Sequence, residues 1–226
     1  MSAASRAPQR SDRATGVRAA RVHAAHVRAP RVRARRRAAL ATGTAVAALL
    51  LSACGSGGTS GGGGNTNFVT GTDGISTVAR GERVAAPDLS GKTVEGEHLD
   101  VAGFRGKVVV LNVWGSWCNP CRAEAKHFAK VSEDYADQDV QFVGINTRDT
   151  STGSARAFEE DFGITYPSLY DPTGKLMLRF EKGTLNPQAI PSTLILDRDG
   201  KVAARSLTAL SEERLLKMLE PVVAEK

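Results

Sequence analysis

The sequence is poor in cysteine: its 226 residues contain only three, Cys54, Cys118 and Cys121. Histidine is also scarce, and only His98 and His127 lie beyond the first third of the chain. A structural zinc site needs four ligands, and the few candidates here show no paired spacing. The sequence therefore predicts no metal site.

The first 37 residues have almost no acidic or large apolar side chains. They contain eleven arginines and one acidic residue, Asp12, and such a composition cannot form a hydrophobic core. Of the 30 basic and 24 acidic residues in the chain, 19 basic and 23 acidic residues follow this segment, which gives the remainder a net charge of about −4. The overall charge of +6 therefore does not indicate a nucleic-acid partner.

The most apolar run of the sequence, residues 38–51, is too short for a comfortable membrane span. It has fourteen residues, whereas a spanning helix needs roughly 20. Because three arginines precede this run, residues 1–53 are predicted to be a secretory signal peptide, with an uncleaved signal anchor as the alternative. The long basic part indicates an over-extended gene start, with the codon of Val27 or Val32 as an alternative initiator.

Residues 55–72 consist largely of glycine, serine, threonine and asparagine. Such a composition is typical of a flexible tether. We expect residues 54–82 to form the tether and residues 83–226 to form one folded domain, which is long enough for a single buried core.

Within residues 83–226, hydrophobic patterning predicts an α/β fold. The uninterrupted apolar, β-branched run at residues 108–113 predicts a central strand buried on both faces. Further strands are predicted at 140–145, 192–197 and 202–207, the last two joined by an Asp199-Gly200 hairpin turn. Helices are predicted after Cys121, over 154–162 with Gly163 as the stop, and over 211–223.

The sequence is organised around Cys118-Asn119-Pro120-Cys121, which follows the predicted central strand and opens a predicted helix. A helix N-terminus offers free N–H groups and the positive end of the helix dipole, and both favour a thiolate. This placement indicates a redox-active dithiol, with two inert buried cysteines as the alternative. We expect Cys118 to face solvent and Cys121 to lie deeper, where it can attack a mixed disulfide formed at Cys118.

The Trp-x-x-Trp-Cys-x-Pro-Cys-Arg-x-Glu motif over residues 114–124 resembles the extracytoplasmic TlpA/ResA-like thiol–disulfide oxidoreductases of the thioredoxin superfamily. The resemblance extends from about residue 86 to the C-terminus. It implies an α/β, thioredoxin-like fold with an N-terminal β-hairpin, here placed at residues 86–89 and 91–94, and an inserted helix, here residues 154–162. It also implies catalysis without a cofactor.

The resemblance assigns roles to residues around the dithiol. Ile190-Pro191 resembles the superfamily's cis-proline loop, which lies against the dithiol and contacts the incoming substrate chain. Asn119 and Pro120 would tune the reduction potential. Trp117 would contact a partner at the surface, whereas Trp114 is expected in the core.

Glu124 is expected to share a helix face with the dithiol, because it lies three residues after Cys121. Relatives have a glutamate here near the buried cysteine, which implies that Glu124 exchanges protons with the dithiol. One departure is Lys126, where relatives often have proline. A lysine there is expected to straighten the helix and to supply a cation near Glu124.

Leu51-Ser52-Ala53-Cys54 resembles the bacterial lipobox. This resemblance implies cleavage before Cys54 and lipidation of that cysteine. The mature protein is then expected on the extracytoplasmic face of the cell membrane, held by a lipid anchor.

The family resemblance implies a reductant of protein disulfides, most often those of the haem-attachment cysteines of apocytochrome c. Electrons would come from a CcdA- or DsbD-like membrane reductase. The alternatives are a disulfide-forming thiol oxidase of secreted proteins, a copper- or haem-handling binding module, and a thiol peroxidase on the same fold.

Overall fold

The computed structural model describes residues 66–225, which form a seven-stranded mixed sheet, a separate two-stranded hairpin and three α-helices. The order of strands across the sheet is β1-β2-β9-β8-β5-β6-β7. The strands are β1 (Val69–Thr70), β2 (Ile75–Thr77), β3 (Ser90–Lys92), β4 (His98–Asp100), β5 (Val108–Trp114), β6 (Val140–Thr147), β7 (Ser168–Asp171), β8 (Ser192–Leu196) and β9 (Val202–Ser206). The helices are α1 (Asn119–Asp134), α2 (Thr152–Phe162) and α3 (Glu212–Val223).

Strand β5 is the centre of the sheet, as its uninterrupted apolar run predicts. All seven of its residues are buried. It runs parallel to β6 and antiparallel to β8, so the carboxyl ends of β5 and β6 and the start of β8 meet at one edge of the sheet. The loop after β5 carries the dithiol to that edge.

Alternate residues of β5 pack into cores on opposite faces of the sheet, because side chains in a strand alternate in direction. Val108 and Val110 pack with residues of α1 and α3, including Phe128 and Leu215. Val109, Leu111 and Val113 pack in the other core, which includes residues of the β3–β4 region. On α1, Phe128 and Val131 are buried in the core, whereas Tyr135 caps the helix end and is half-buried.

The other predicted helices and strands are confirmed with small shifts at their ends. Helix α2 starts two residues before the prediction and ends at Gly163 in a left-handed conformation, φ 69°. Strand β6 continues two residues further. The Asp199-Gly200 turn joins β8 to β9, with Gly200 at φ 73°. These elements have strong local patterns, which explains why the sequence predicts them.

The N-terminal hairpin exists, but its predicted strands are wrong. Strand β3 at 90–92 pairs with β4 at 98–100, and the turn lies between them, where the N–H of Gly96 donates to the carbonyl of Thr93. The segment 86–89 precedes the hairpin, and Leu89 packs in the core. Strand β7 was not predicted; its partner is β6.

The predicted domain boundary at residue 83 is also wrong for the described part of the chain. Strands β1 and β2 add to the sheet beside β9, so residues 69–77 belong to the folded domain and not to a tether. Phe68 is buried, and the Arg205 guanidinium lies 4.0 Å from the centre of its ring. The predicted signal peptide, Cys54 and the glycine run lie outside the described residues.

Candidate active site

Cys118 and Cys121 are joined by a disulfide at the carboxyl end of β5. Cys118 is the N-cap of α1, and its Sγ lies 3.2 Å from the N–H nitrogen of Cys121, which donates to it. The first sulfur therefore accepts a hydrogen bond from one free N–H group of the helix N-terminus, as the sequence predicts. In the reduced protein, such a hydrogen bond stabilises a thiolate at Cys118.

The expectation that Cys118 faces solvent is wrong for this oxidised state. Cys118 is 4% exposed and Cys121 is 1% exposed. The Sγ of Cys118 is bonded to Cys121 and lies 3.8 Å from the carbonyl oxygen of Ile190, and Ile190 packs on the cluster that contains both cysteines. The bond to Cys121 and the loop before β8 together cover the sulfur.

The loop before β8 lies beside the dithiol because of strand pairing. Ser192, the first residue of β8, is opposite Val113 of β5, so Pro191 lies at the edge where the dithiol follows β5. The Ile190–Pro191 peptide bond is cis, as expected. Arg205 binds an earlier part of the segment before β8, because its guanidinium donates to the carbonyl oxygens of Gly183 and Thr184.

Glu124 is buried, although glutamate on a helix usually faces solvent. It is 2% exposed and has only neutral hydrogen-bond partners. Its Oε1 accepts from Nδ2 of Asn112 at 2.9 Å, and its Oε2 accepts from the N–H of Leu210 at 2.8 Å. Burial raises the pKa of Glu124 to about 7, and the two hydrogen bonds only partly oppose this shift.

Lys126 does not supply the cation that the sequence suggests for Glu124. It is exposed, whereas Cys121, Glu124 and Ala125 are buried on the inner face of α1. Glu124 therefore shares a buried helix face with Cys121, as expected, but its charge is opposed by no lysine there.

Asn112 is a site residue that the sequence analysis did not identify. It is buried within β5, where its amide donates to Glu124 and lies 3.4 Å from the hydroxyl of Thr193. The signal in the sequence is a single polar residue inside an otherwise apolar central strand.

Asp149 is a second unidentified residue, and it fixes the loop before the dithiol. Its carboxylate accepts hydrogen bonds from the N–H of Ser116 at 2.9 Å, from the hydroxyl of Ser116 and from Nδ2 of Asn146. Asp149 is only 4% exposed. The signal is its position just after β6, because the carboxyl ends of β5 and β6 meet at this edge.

The two tryptophans of the motif have different environments. Trp114 is buried and stacks on Phe158 of α2, with 4.4 Å between ring centres. This confirms its expected place in the core. Trp117, by contrast, is 49% exposed beside Cys118. Asn119 and Pro120 are exposed in the first turn of α1, and their influence on the reduction potential remains a prediction.

No cluster of three or more metal-ligating side chains occurs within residues 66–225, and no helix in this range is long and apolar enough to cross a membrane. The groups that meet at this edge are two sulfurs, one buried carboxyl group of raised pKa and a helix N-terminus. This combination suits the exchange of thiols and disulfides.

Comparison with known proteins agrees with the chemistry of the site. The chain is 32% identical to the thioredoxin-like protein YneN of Bacillus subtilis over 136 residues, which cover 60% of this chain and 76% of the relative. It is 29% identical to the thiol-disulfide oxidoreductase ResA of Geobacillus kaustophilus over 157 residues, or 70% of this chain and 84% of the relative.

The fold agrees as well. The crystal structure of a secreted thiol-disulfide isomerase from Corynebacterium glutamicum is 31% identical, with a TM-score of 0.63, and the match covers 67% of this chain and 93% of that one. A profile of the AhpC/TSA family matches residues 83–205, which is more than half of the chain. The chain therefore belongs to the AhpC/TSA family and is a thiol–disulfide oxidoreductase with a thioredoxin-like fold, similar to ResA.

Proposed function

We propose that Cys118 and Cys121 are the redox-active pair and that the protein reduces disulfides in other proteins outside the cytoplasm. The observation that carries this proposal is the disulfide at the N-terminus of α1, held against the loop of Pro191, with Glu124 buried on the same helix three residues after Cys121. The similarity to ResA and to a secreted isomerase supports the reaction class and the extracytoplasmic location.

The reduction proceeds in two exchanges. The Cys118 thiolate attacks one sulfur of the substrate disulfide, so a mixed disulfide forms and the other substrate sulfur leaves as a thiolate. The Cys121 thiolate then attacks the Sγ of Cys118 and releases the second substrate thiolate. In total, two electrons pass to the substrate, and the Cys118–Cys121 disulfide remains. The two substrate thiolates take up two protons, one that Cys121 has lost and one from solvent.

Glu124 would hold and release one of these protons. The Cys121 thiol must lose its proton before it attacks. The carboxylate of Glu124, on the same buried helix face, can accept that proton as a general base. A pKa of about 7 leaves Glu124 able both to accept and to return a proton near neutral pH. Its neutral partners, Asn112 and the N–H of Leu210, permit both charge states.

A dithiol reductant must return the pair to the reduced state. We propose a CcdA- or DsbD-like membrane thiol reductase as this donor, and the haem-attachment cysteines of apocytochrome c as the substrate. The proposed lipid anchor at Cys54 would hold the domain near such a membrane donor. These assignments rest on the family resemblance.

Disulfide formation or isomerisation is the second candidate. It is favoured by the likeness to the secreted thiol-disulfide isomerase of Corynebacterium glutamicum. The same two cysteines would serve, and the direction of electron flow depends on the potential of the pair against its partners.

Three cysteine variants of the full chain test the proposed reaction. Cys118→Ser should abolish reduction of a protein disulfide by the prereduced protein. Cys121→Ser should accumulate a mixed disulfide with the substrate, visible on non-reducing gels, because nothing resolves it. Cys54→Ser is the matched control and should reduce substrate as the wild type does while leaving the membrane fraction. Retained activity in Cys118→Ser would refute the assignment.

The substrate is tested with the trapping variant. Cys121→Ser should form a mixed disulfide with oxidised apocytochrome c, and prior reduction of the apocytochrome should prevent it. If the variant traps other secreted proteins but not apocytochrome c, the proposed substrate is wrong and the reaction class stands.

A further inference from the structure

An exposed aromatic ring and a cation lie together beside the dithiol. Trp117 precedes Cys118, and it is one of three large hydrophobic side chains exposed in the described part of the chain, with Val69 and Leu178. The guanidinium of Arg148 lies 4.6 Å from the centre of the Trp117 ring. Such a cation–π contact is attractive and favours this arrangement of the two groups.

The backbone on both sides holds this pair in place. Gly115 leaves room for the indole, because a Cβ there would lie 2.7 Å from Nε1 of Trp117 and 3.0 Å from the carbonyl oxygen of Thr147. Arg148 has φ 60°, a left-handed conformation that is unfavourable for an arginine. The hydrogen bonds of the adjacent Asp149 to Ser116 stabilise this geometry and tie the loop of Arg148 to that of Trp117.

The charge of Arg148 is left free for a ligand. No carboxylate oxygen within residues 66–225 lies within 4.0 Å of its guanidinium, since it takes part in none of the ion pairs there. The neighbouring Asp149 directs both oxygens to Ser116 and Asn146. Arg148 itself is exposed.

The other arginine at this loop is already engaged. Arg122 lies 4.0 Å from the carboxylate of Asp161, and its guanidinium lies 4.9 Å from the centre of the Phe162 ring. It also donates to the carbonyl of Ser116. Of these two arginines, Arg148 is therefore the one whose guanidinium lies beside Trp117 without a carboxylate partner within residues 66–225.

We propose that Arg148 and Trp117 form a recognition surface for an acidic side chain, aspartate or glutamate, that flanks the disulfide in the substrate. The carboxylate pairs with the Arg148 guanidinium, and apolar atoms of the same segment pack on the exposed indole. This proposal rests on the proposed function, because it names the sequence context that the dithiol prefers. Arg148 acts as a specificity residue and takes no part in bond exchange.

The test uses three peptides with the same internal disulfide, flanked by two glutamates, two glutamines or two lysines. Stopped-flow measurement with the prereduced full chain gives a second-order rate constant for each peptide. Because ion pairs at exposed sites are weak, we expect a preference for the glutamate over the lysine peptide of about two- to fivefold. At 1 M salt, where screening acts beyond about 3 Å, the preference should fall towards one.

Substitutions at Arg148 must tolerate a positive φ, which asparagine and aspartate do. Arg148→Asn should bring the ratio of the glutamate and lysine rates close to one, and Arg148→Asp should invert it. Arg80→Asn is the matched control. Arg80 lines a surface cavity with Asp197, at the sheet end opposite the dithiol, and its loss should leave the ratio at the wild-type value.

The outcomes separate this proposal from the function on which it rests. If the wild type reduces all three peptides at equal rates, or if Arg148→Asn slows all three by the same factor, the recognition surface is refuted and the reductase function stands. An equal slowing would mean that Arg148 acts on the thiolate. If the wild type reduces none of the peptides, the proposed function itself fails.

Discussion

Buried charged side chains have different partners at the two ends of the central sheet. At the end opposite the dithiol, Arg83 pairs with Glu225 at 2.5 Å and with Asp197 at 3.0 Å. The hydrogen bond that Arg83 donates to Glu225 is the main cause that raises the pKa of Arg83. At the dithiol end, Glu124 and Asp149 are buried among neutral donors. The paired charges at the end opposite the dithiol stabilise the fold. At the dithiol end, burial raises the pKa of Glu124 to about 7, so this carboxyl can change its charge during a reaction.

Arg83→Met should produce the largest loss of stability. The side chain of Arg83 is 5% exposed and that of Asp197 is 10% exposed, so the substitution leaves a largely buried carboxylate without its cation. We expect the free energy of unfolding to fall by about 3 kcal/mol, as measured by chemical denaturation of the oxidised protein. The reduction potential should be unchanged. A shifted potential would show that the two ends of the sheet are coupled.

Glu124→Gln should change how stability depends on pH. The pKa of Glu124 is raised from 4.5 to about 7, so between these values the folded state binds more protons than the unfolded state. The stabilisation is therefore complete below about pH 4.5 and is lost as pH rises through about 7, which amounts to about 3 kcal/mol. Glutamine does not titrate, so the variant should lack the part of the decline that Glu124 causes. Denaturation curves at pH 5, 6, 7 and 8 measure it.

Glu159→Gln is the matched control for Glu124. Burial raises the pKa of Glu159 to about 7 as well, but this residue lies on α2 and lines a separate cavity of about 490 Å³ beside the β3–β4 turn. Both variants should flatten the pH dependence of stability. Only Glu124→Gln should alter the pH dependence of disulfide reduction. The same change of rate profile in both variants would contradict a proton-transfer role specific to Glu124.

Asp149→Asn should have a smaller effect that is confined to the active-site loop. An amide in place of the carboxylate puts an N–H group near the donors of Ser116 or Asn146, so at least one hydrogen bond is lost. We expect a loss of about 1–2 kcal/mol in unfolding free energy. The exposed Trp117 should also become more accessible to acrylamide quenching. Unchanged quenching would mean that Asp149 does not hold this loop.

Phe68→Leu should have the smallest effect. It keeps apolar volume but removes the ring over the buried Arg205, which lies 4.0 Å away, and such contacts contribute about 1 kcal/mol. Denaturation would show the loss if residues before 83 belong to the fold. No change in stability would contradict the placement of the segment before β1 on the domain.

The sequence predicts those parts of the fold whose cause is local. Three features could be predicted because each depends on residues that are neighbours in the sequence: the apolar run of β5, the helix end at Gly163 and the Asp199-Gly200 turn. Strands β1, β2 and β7 have two to four residues each, and their pairing with distant strands leaves little local pattern.

The residues of the site fall into the same two groups, those with a local signal in the sequence and those that depend on distant contacts. Spacing and helix physics identify Cys118, Cys121 and the helix face of Glu124. Asp149 and Arg148 become site residues only because the ends of β5 and β6 lie side by side. Asn112 does so because its side chain contacts Glu124 of α1 and Thr193 of β8, and no spacing along the chain predicts these contacts. The burial of Cys118 under Ile190 likewise depends on the pairing of β5 with β8.

The reduction potential of the Cys118–Cys121 pair tests the central claim most directly. The full chain would be equilibrated with defined dithiol buffers, its free thiols alkylated and the labelled cysteines located by mass spectrometry. We predict joint labelling of Cys118 and Cys121 with a potential near or below about −250 mV, comparable to thioredoxin. A potential near about −120 mV, typical of strong disulfide donors, would contradict the reductase and support the thiol oxidase.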